Sequence, residues 1–412
     1  MRSLETILNG RLRFLPFAVM MVALFWSSAP ALLSIATAVM GVLALYLLIS
    51  RPKTTLGSFG HVVAIVWVVF LGLSIFYTEA PTAEYFKELS FKLTFLGLFI
   101  AGSRVKLSAR AIQVLIMLFS YLAMVVALGT FINYLVHYDQ INELISQSKP
   151  IPIISGQNHI SYSYMLGFAI LASVYLLVKR REGGNTIPYW VIALPLTINF
   201  LMIHIIAART GLVATYMAIG MAGLAYFMIE KKKVILGISL VLFLAISSVL
   251  ALKFVKPLNQ RLQNTITDYS VYFNDGNPNW WSGTMRLEAM ENAWYVYKDN
   301  IWIGVGMADL SQAVDDMYAE RGTLLLPENR INPHNQFMNM MIVGGSIGVL
   351  LLLLFFGWLG GQSFKHGNWL LLAFVVLSFV GFNLEAFMER QIGSCFFGLT
   401  SGLLLQPYFY RK

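Results

Sequence analysis

The chain has 412 residues, of which 58% are hydrophobic and 12% charged, with a formal net charge of +9 and a single cysteine. A soluble domain carries roughly 25% charged residues to face water, so a water-soluble fold is excluded, and Cys395 alone can form neither an internal disulfide nor a cysteine-rich metal site. The positive charge falls in short clusters between apolar runs, which points to membrane topology and away from nucleic acid.

A bilayer core of about 30 Å needs roughly 20 apolar residues per helical span. Such runs recur at residues 12–28, 30–50, 61–77, 89–103, 111–136, 160–178, 188–207, 211–229, 234–254, 335–360, 368–384 and 392–407. The expected fold is therefore all-α: a polytopic membrane protein of about twelve transmembrane helices. Arg2, Arg11 and Arg13 lead into the first run with no cleavage site after it, so that span is expected to stay as an anchor. The basic clusters alternate along the chain: Arg51 and Lys53; Arg104, Lys106 and Arg110; Lys179, Arg180 and Arg181; Lys231, Lys232 and Lys233; Lys365; Arg411 and Lys412. All fall on the N-terminal side, whereas the opposite short loops hold only Lys87, Lys149, Arg209 and Arg390. The positive-inside rule then places the clusters, and both termini, in the cytoplasm.

About 80 residues from Lys256 to Pro333 separate the ninth and tenth spans on the other side, too long for a passive connector. Met285, Leu287, Met290, Ala293, Trp294 and Tyr297 recur at three- and four-residue spacing, so Thr284 to Tyr297 reads as an amphipathic helix. A second helix is expected from Ala308 to Arg321, with Gly304-Val305-Gly306 as a tight turn between them. Trp280, Trp281, Trp294, Tyr295, Tyr297 and Trp302 suit the headgroup layer. The chain thus divides into spans at 1–255, a loop domain at 256–334 and spans at 335–412.

Ionisable residues at the external ends of apolar helices must offset their desolvation, which makes them functional candidates. His334 lies in Asn332-Pro333-His334-Asn335, where Pro333 fixes the return of the loop into the tenth span. A histidine held there suits general-base work on a sugar hydroxyl, though an interfacial helix-end role would also account for it. Arg209 sits in the very short hairpin Ala207-Ala208-Arg209-Thr210-Gly211. Its planar fork fits phosphate oxygens, and snorkelling is the plainer alternative. Arg286 follows Ser282-Gly283-Thr284 at a helix start, a place for either an anion-binding or a solvated arginine. Lys87 has Glu84 and Glu88 beside it, and pairing with them is the plainer alternative. Asn158 and His159 precede the sixth span and would line a site or cap that helix. Glu385, Glu389 and Arg390 read as an ion-pair network in the last external turn.

No His-Glu-x-x-His, external Asp-x-Asp or P-loop is present, so neither a metal nor another cofactor is expected. Arginines would have to stabilise an anionic leaving group instead.

His334-Asn335, nine residues, then Gly345-Ser346-Ile347-Gly348 resembles the pattern of O-antigen ligases and their polymerase relatives. The Ala-Arg-Thr-Gly hairpin at Arg209 is similar to theirs, as is the stretch from Arg286 to Asn300-Ile301-Trp302-Ile303-Gly304-Val305-Gly306. The resemblance implies a bacterial inner-membrane glycosyltransferase that moves O-antigen from undecaprenyl diphosphate to lipid A-core at the periplasmic face, without metal and with inversion. It implies His334 as the base on the acceptor, Arg209 and Arg286 on the diphosphate, and a lysine, best matched by Lys87 with Lys92 as a rival, as a further contributor. An O-antigen polymerase is the near alternative. A lipid-linked glycan transporter is the alternative from another class, although transporters place their charges nearer the midplane than this chain does.

Overall fold

The computed structural model describes residues 13–50, 52, 57–146, 149–181, 186–206, 208–254, 256–274, 277–279 and 281–410. Trp280 and the basic residues Arg2, Arg11, Arg51, Lys53, Arg411 and Lys412 lie outside the described residues.

The described residues are helical throughout, with no strand among them. In chain order the helices are α1 (Leu15–Leu24), α2 (Pro30–Ser50), α3 (Phe59–Gly72), α4 (Thr82–Arg104), α5 (Ala109–Val136), α6 (Tyr138–Ser146), α7 (His159–Arg181) and α8 (Tyr189–Ile206). There follow α9 (Arg209–Ala225), α10 (Val234–Phe254), α11 (Lys256–Phe273), α12 (Ser282–Asp299), α13 (Leu310–Glu320), α14 (Gln336–His366), α15 (Trp369–Leu384) and α16 (Gln391–Leu404). Among the described residues eight helices are long and apolar enough to cross a bilayer, and α1, α15 and α16 are shorter apolar helices. The remaining expected span, 89–103, falls within α4, whose Glu84, Lys87, Glu88, Lys92 and Arg104 set it apart from the eight. The chain is a polytopic helical membrane protein.

With lipid as solvent, helices associate by close packing and buried polar links rather than by expulsion of water. Helix α16 approaches α4 at Gly398 and Gly402, where an added Cβ would lie 2.5 Å from the carbonyl oxygens of Phe95 and Phe99 respectively. Around that contact the rings of Phe95, Phe99, Phe355 and Phe397 pack edge to face and stacked at 5.1 to 6.1 Å.

The run at 335–360, expected to be one continuous span, is interrupted. Gly345 has φ 58° and ψ −157° inside α14, a conformation essentially confined to glycine. A break within a helix orphans backbone groups, which are costly where water is scarce. Here the returning loop supplies the partners. Val305 N donates to Ile342 O (2.8 Å) and Gly306 N to Val343 O (3.1 Å), while Ser346 N donates to Ile301 O (2.7 Å) and Ile347 N to Trp302 O (3.3 Å). The Gly304-Val305-Gly306 turn is therefore clamped backbone to backbone onto α14, and a Cβ on Gly304 would lie 2.3 Å from Ile342 O. Gly345→Ala combines a disallowed φ/ψ with a Cβ 2.5 Å from the Trp302 carbonyl. It is expected to destabilise the protein by at least about 1–3 kcal/mol, seen as a lower midpoint of thermal unfolding in detergent. Gly360→Ala, where a Cβ meets nothing within 4 Å, serves as the control.

Candidate active site

The site is built where helix ends converge. Asn335 is the N-cap of α14, its side-chain oxygen accepting from Phe337 N (2.9 Å) and Met338 N (3.1 Å), and this cap fixes His334 just before the first turn. His334 Nδ1 lies 3.1 Å from Glu385 Oε2. Glu385, the first residue beyond α15, has a side chain only 4% exposed, and Arg390 Nη2 stands 3.8 Å from its other oxygen. Burial opposes ionisation of Glu385, but the hydrogen bond and charge of His334, with Arg390 and Arg286, outweigh it and hold the carboxyl below the usual range. An ionised carboxylate can only accept, so Nδ1 of His334 carries a proton in either charge state, and once the ring has given up its other proton Nε2 keeps its lone pair.

Arg209 opens α9, half of a close contact with α7: a Cβ on Gly211 would lie 2.2 Å from Ser163 Oγ. The glycine of the Ala-Arg-Thr-Gly hairpin thus lets the arginine sit against its neighbour helix, and its guanidinium donates to the Thr265 hydroxyl on α11. Arg286, just after the first turn of α12, acts electrostatically on both Arg209 and Glu385. The first turn is pinned to α11 by Asp268, which accepts from Gly283 N (2.9 Å) through Oδ2 and from Thr284 Oγ1 (2.6 Å) through its carbonyl. The amide end of α12, expected to be open to an external anion, is therefore already met in part by a carboxylate. Among the described residues no ion pair holds Arg286 itself.

A second, buried set backs this one. Lys92, 1% exposed on α4, donates to Glu389 Oε2 (2.8 Å) and Met388 O (3.1 Å). Gln336 donates to Glu389 Oε1 (2.7 Å) and accepts from Met388 N (2.6 Å). Burial works against the Glu389 charge, and Lys92 foremost, with Gln336, nevertheless keeps its carboxyl below the ordinary range. Gln336 is two residues from His334 and Glu389 four from Glu385, so the network joins the two segments that carry the histidine–glutamate pair.

The structure thus brings His334, Arg209 and Arg286 into one electrostatic neighbourhood. Lys87 instead pairs with Glu84 (2.9 Å) and stands 3.9 Å from Glu88, with its side chain 56% exposed. Asn158 caps α7 by accepting from Ile160 N (2.8 Å), and His159 is the first residue of that helix. Sequence reasoning grouped Glu385, Glu389 and Arg390 as one network. They divide into two, Glu385 with His334 and Glu389 with Lys92, and the only signal for either was position at the same external helix ends.

The fold and this cluster define a multi-span membrane protein that gathers arginines and a carboxylate-oriented histidine at one end of its bundle. Residues 194–353 match the family model described as O-antigen ligase, a stretch that holds Arg209, Arg286, His334 and the clamped glycine turn. That match supports a place in the O-antigen ligase superfamily, and an O-antigen ligase or polymerase-type glycosyltransferase activity, for the segment it covers. No curated protein matches the chain.

Proposed function

We propose that this protein transfers O-antigen from undecaprenyl diphosphate to a sugar hydroxyl of lipid A-core, at the periplasmic face of the bacterial inner membrane with both termini in the cytoplasm. The observation that carries the reading is the His334–Glu385 pair standing in one field with Arg209 and Arg286. Nε2 of His334 takes the proton of the acceptor hydroxyl as its oxygen bonds to the anomeric carbon. The bond from that carbon to the diphosphate oxygen breaks, and its electron pair leaves with the diphosphate. Arg209 and Arg286 bind that group and stabilise its growing charge. Direct displacement inverts the anomeric configuration. The work needs no divalent cation, because fixed guanidinium groups supply the positive charge. The division at 1–255, 256–334 and 335–412 then has a purpose: the middle segment brings Arg286 and the glycine clamp to the helix that His334 precedes.

The test is transfer in detergent from undecaprenyl-diphosphate O-antigen to purified lipid A-core, in the presence of a chelator. Formation of lipopolysaccharide supports the ligase reading; joining of donors to each other identifies a polymerase, and dependence on added divalent metal removes the arginine-only account.

Glu385→Gln keeps the shape of the side chain but lets it donate, and so removes the fixed tautomer of His334. The expected result is a kcat lower by up to about 10⁴-fold with KM little changed, by analogy with carboxylates that orient catalytic imidazoles. A stability signature accompanies it. Because the folded-state carboxyl is held below its ordinary value, its contribution is complete above about pH 4.3 and fades as pH falls through the lowered value. The stability gap between the native protein and Glu385→Gln should therefore be widest at neutral pH and close in acid.

A further inference from the structure

A cavity of about 870 Å³ lies at the opposite end of the bundle from His334. It opens between α7, α9, α10, α15 and the segment after α16, and small side chains help make the space: Ala218 and Ala222 on α9 and Ala373 on α15 line it with Leu171 on α7, while Gly223 on α9 lies against Leu240 on α10. Its mouth is chemically different. Lys179 and Glu230 line it together with Tyr175, Tyr226, Tyr408 and Tyr410, and the ammonium groups of Lys179 and Lys231 lie 5.6 and 5.2 Å from the ring centres of Tyr175 and Tyr226. From Leu171 at the floor to Lys179 at the mouth the rise along α7 is about 12 Å at 1.5 Å per residue, close to half of a hydrocarbon core of about 30 Å.

We propose that this cavity is a binding site for a phospholipid whose headgroup carries both a phosphate and a primary ammonium. Three properties of the cavity select that occupant. Its apolar depth matches the acyl chain of one leaflet, which a membrane-spanning polyprenyl chain would exceed. Its mouth holds cations for a phosphate, Lys179 with Lys231 beside it, and a carboxylate, Glu230, for an ammonium; a purely anionic headgroup would set its charge against Glu230. The tyrosine rim provides π faces for the ammonium and hydroxyls at headgroup depth. The site lies far from the reacting groups, so its occupant is a structural or regulatory lipid and not a substrate.

The test is native mass spectrometry of the full chain, stripped of lipid in detergent and then titrated separately with phosphatidylethanolamine, phosphatidylglycerol, phosphatidylcholine and undecaprenyl phosphate. Phosphatidylethanolamine should bind at least about 10-fold more tightly than the other three. Glu230→Gln should abolish its advantage over phosphatidylglycerol, and Lys179→Glu should weaken both. Folding of each variant is checked by its elution and its thermal midpoint; if one fails to fold, the ranking of the four lipids on the native chain decides alone. Equal binding of all four lipids, or preference for undecaprenyl phosphate or phosphatidylglycerol, overturns the proposal, as does an ethanolamine preference that survives in folded Glu230→Gln.

Discussion

His334→Ala is expected to lower kcat for glycan transfer by about 10²- to 10⁴-fold, the usual contribution of a positioned general base, with donor KM nearly unchanged. The asymmetry follows from the geometry. The imidazole is the group whose Nε2 can take the acceptor proton, whereas the diphosphate would be held by Arg209 and Arg286, neither of which depends on His334 for its place: Arg209 rests on Thr265, and the turn just before Arg286 is pinned by Asp268. An effect confined to kcat is the signature of an interaction made in the transition state. The fold should survive, since His334 is 30% exposed and the Glu385 carboxylate keeps Arg390 nearby. Steady-state rates with both lipid substrates, beside the thermal midpoint, check this. A kcat within threefold of the native value in a folded variant would remove His334 from the chemistry.

Hydropathy gave the membrane architecture because apolar length is a local property: each of the twelve expected runs falls on a helix. A helix stands where one was expected at Thr284 to Tyr297, as α12, but it buries Thr284, Ala289, Asn292, Ala293 and Val296 and leaves Met290 and Trp294 exposed; the helix expected at Ala308 to Arg321 is found as α13. Helices α6 and α11 were not anticipated, because neither is apolar enough to stand out beside true spans. What sequence could not show were pairings between distant segments. The interruption at Gly345 was hidden because small residues are common in continuous membrane helices, and its meaning lies in backbone partners some forty residues earlier. His334 and Glu385 are 51 residues apart, and only the packing of α14 beside α15 makes them neighbours. Asn158, for which lining a site and capping a helix were both open, and Asn335 of the His334-Asn335 motif use their side-chain oxygens as helix caps. Lys87 looked the better match of the two lysines on α4, yet it lies in the open while Lys92 is buried.

That difference in burial sets the largest expected loss of stability. Lys92→Met would leave the Glu389 carboxylate, whose side chain is 18% exposed, without its cation, and removing one member of a buried pair typically costs about 3–5 kcal/mol. Lys87→Met, by contrast, removes an exposed pair of the kind worth about 0–1 kcal/mol. The pH dependence separates charge from packing. In the native protein Lys92 helps keep Glu389 ionised below the ordinary range; without it, burial favours the neutral acid. The native protein's advantage over Lys92→Met should thus be greatest at neutral pH and shrink on acidification, as protonation relieves the stranded charge of the variant. Lys92→Met with Glu389→Met should recover part of the loss, because apolar replacement of a whole buried pair is often close to neutral. Activity should not recover with it. Glu389 also fixes Gln336, and through Gln336 the start of α14 beside the segment bearing Glu385, so the double variant should regain thermal stability while its kcat stays low. Recovery of both together would mean that the network supports the fold without positioning the histidine–glutamate pair.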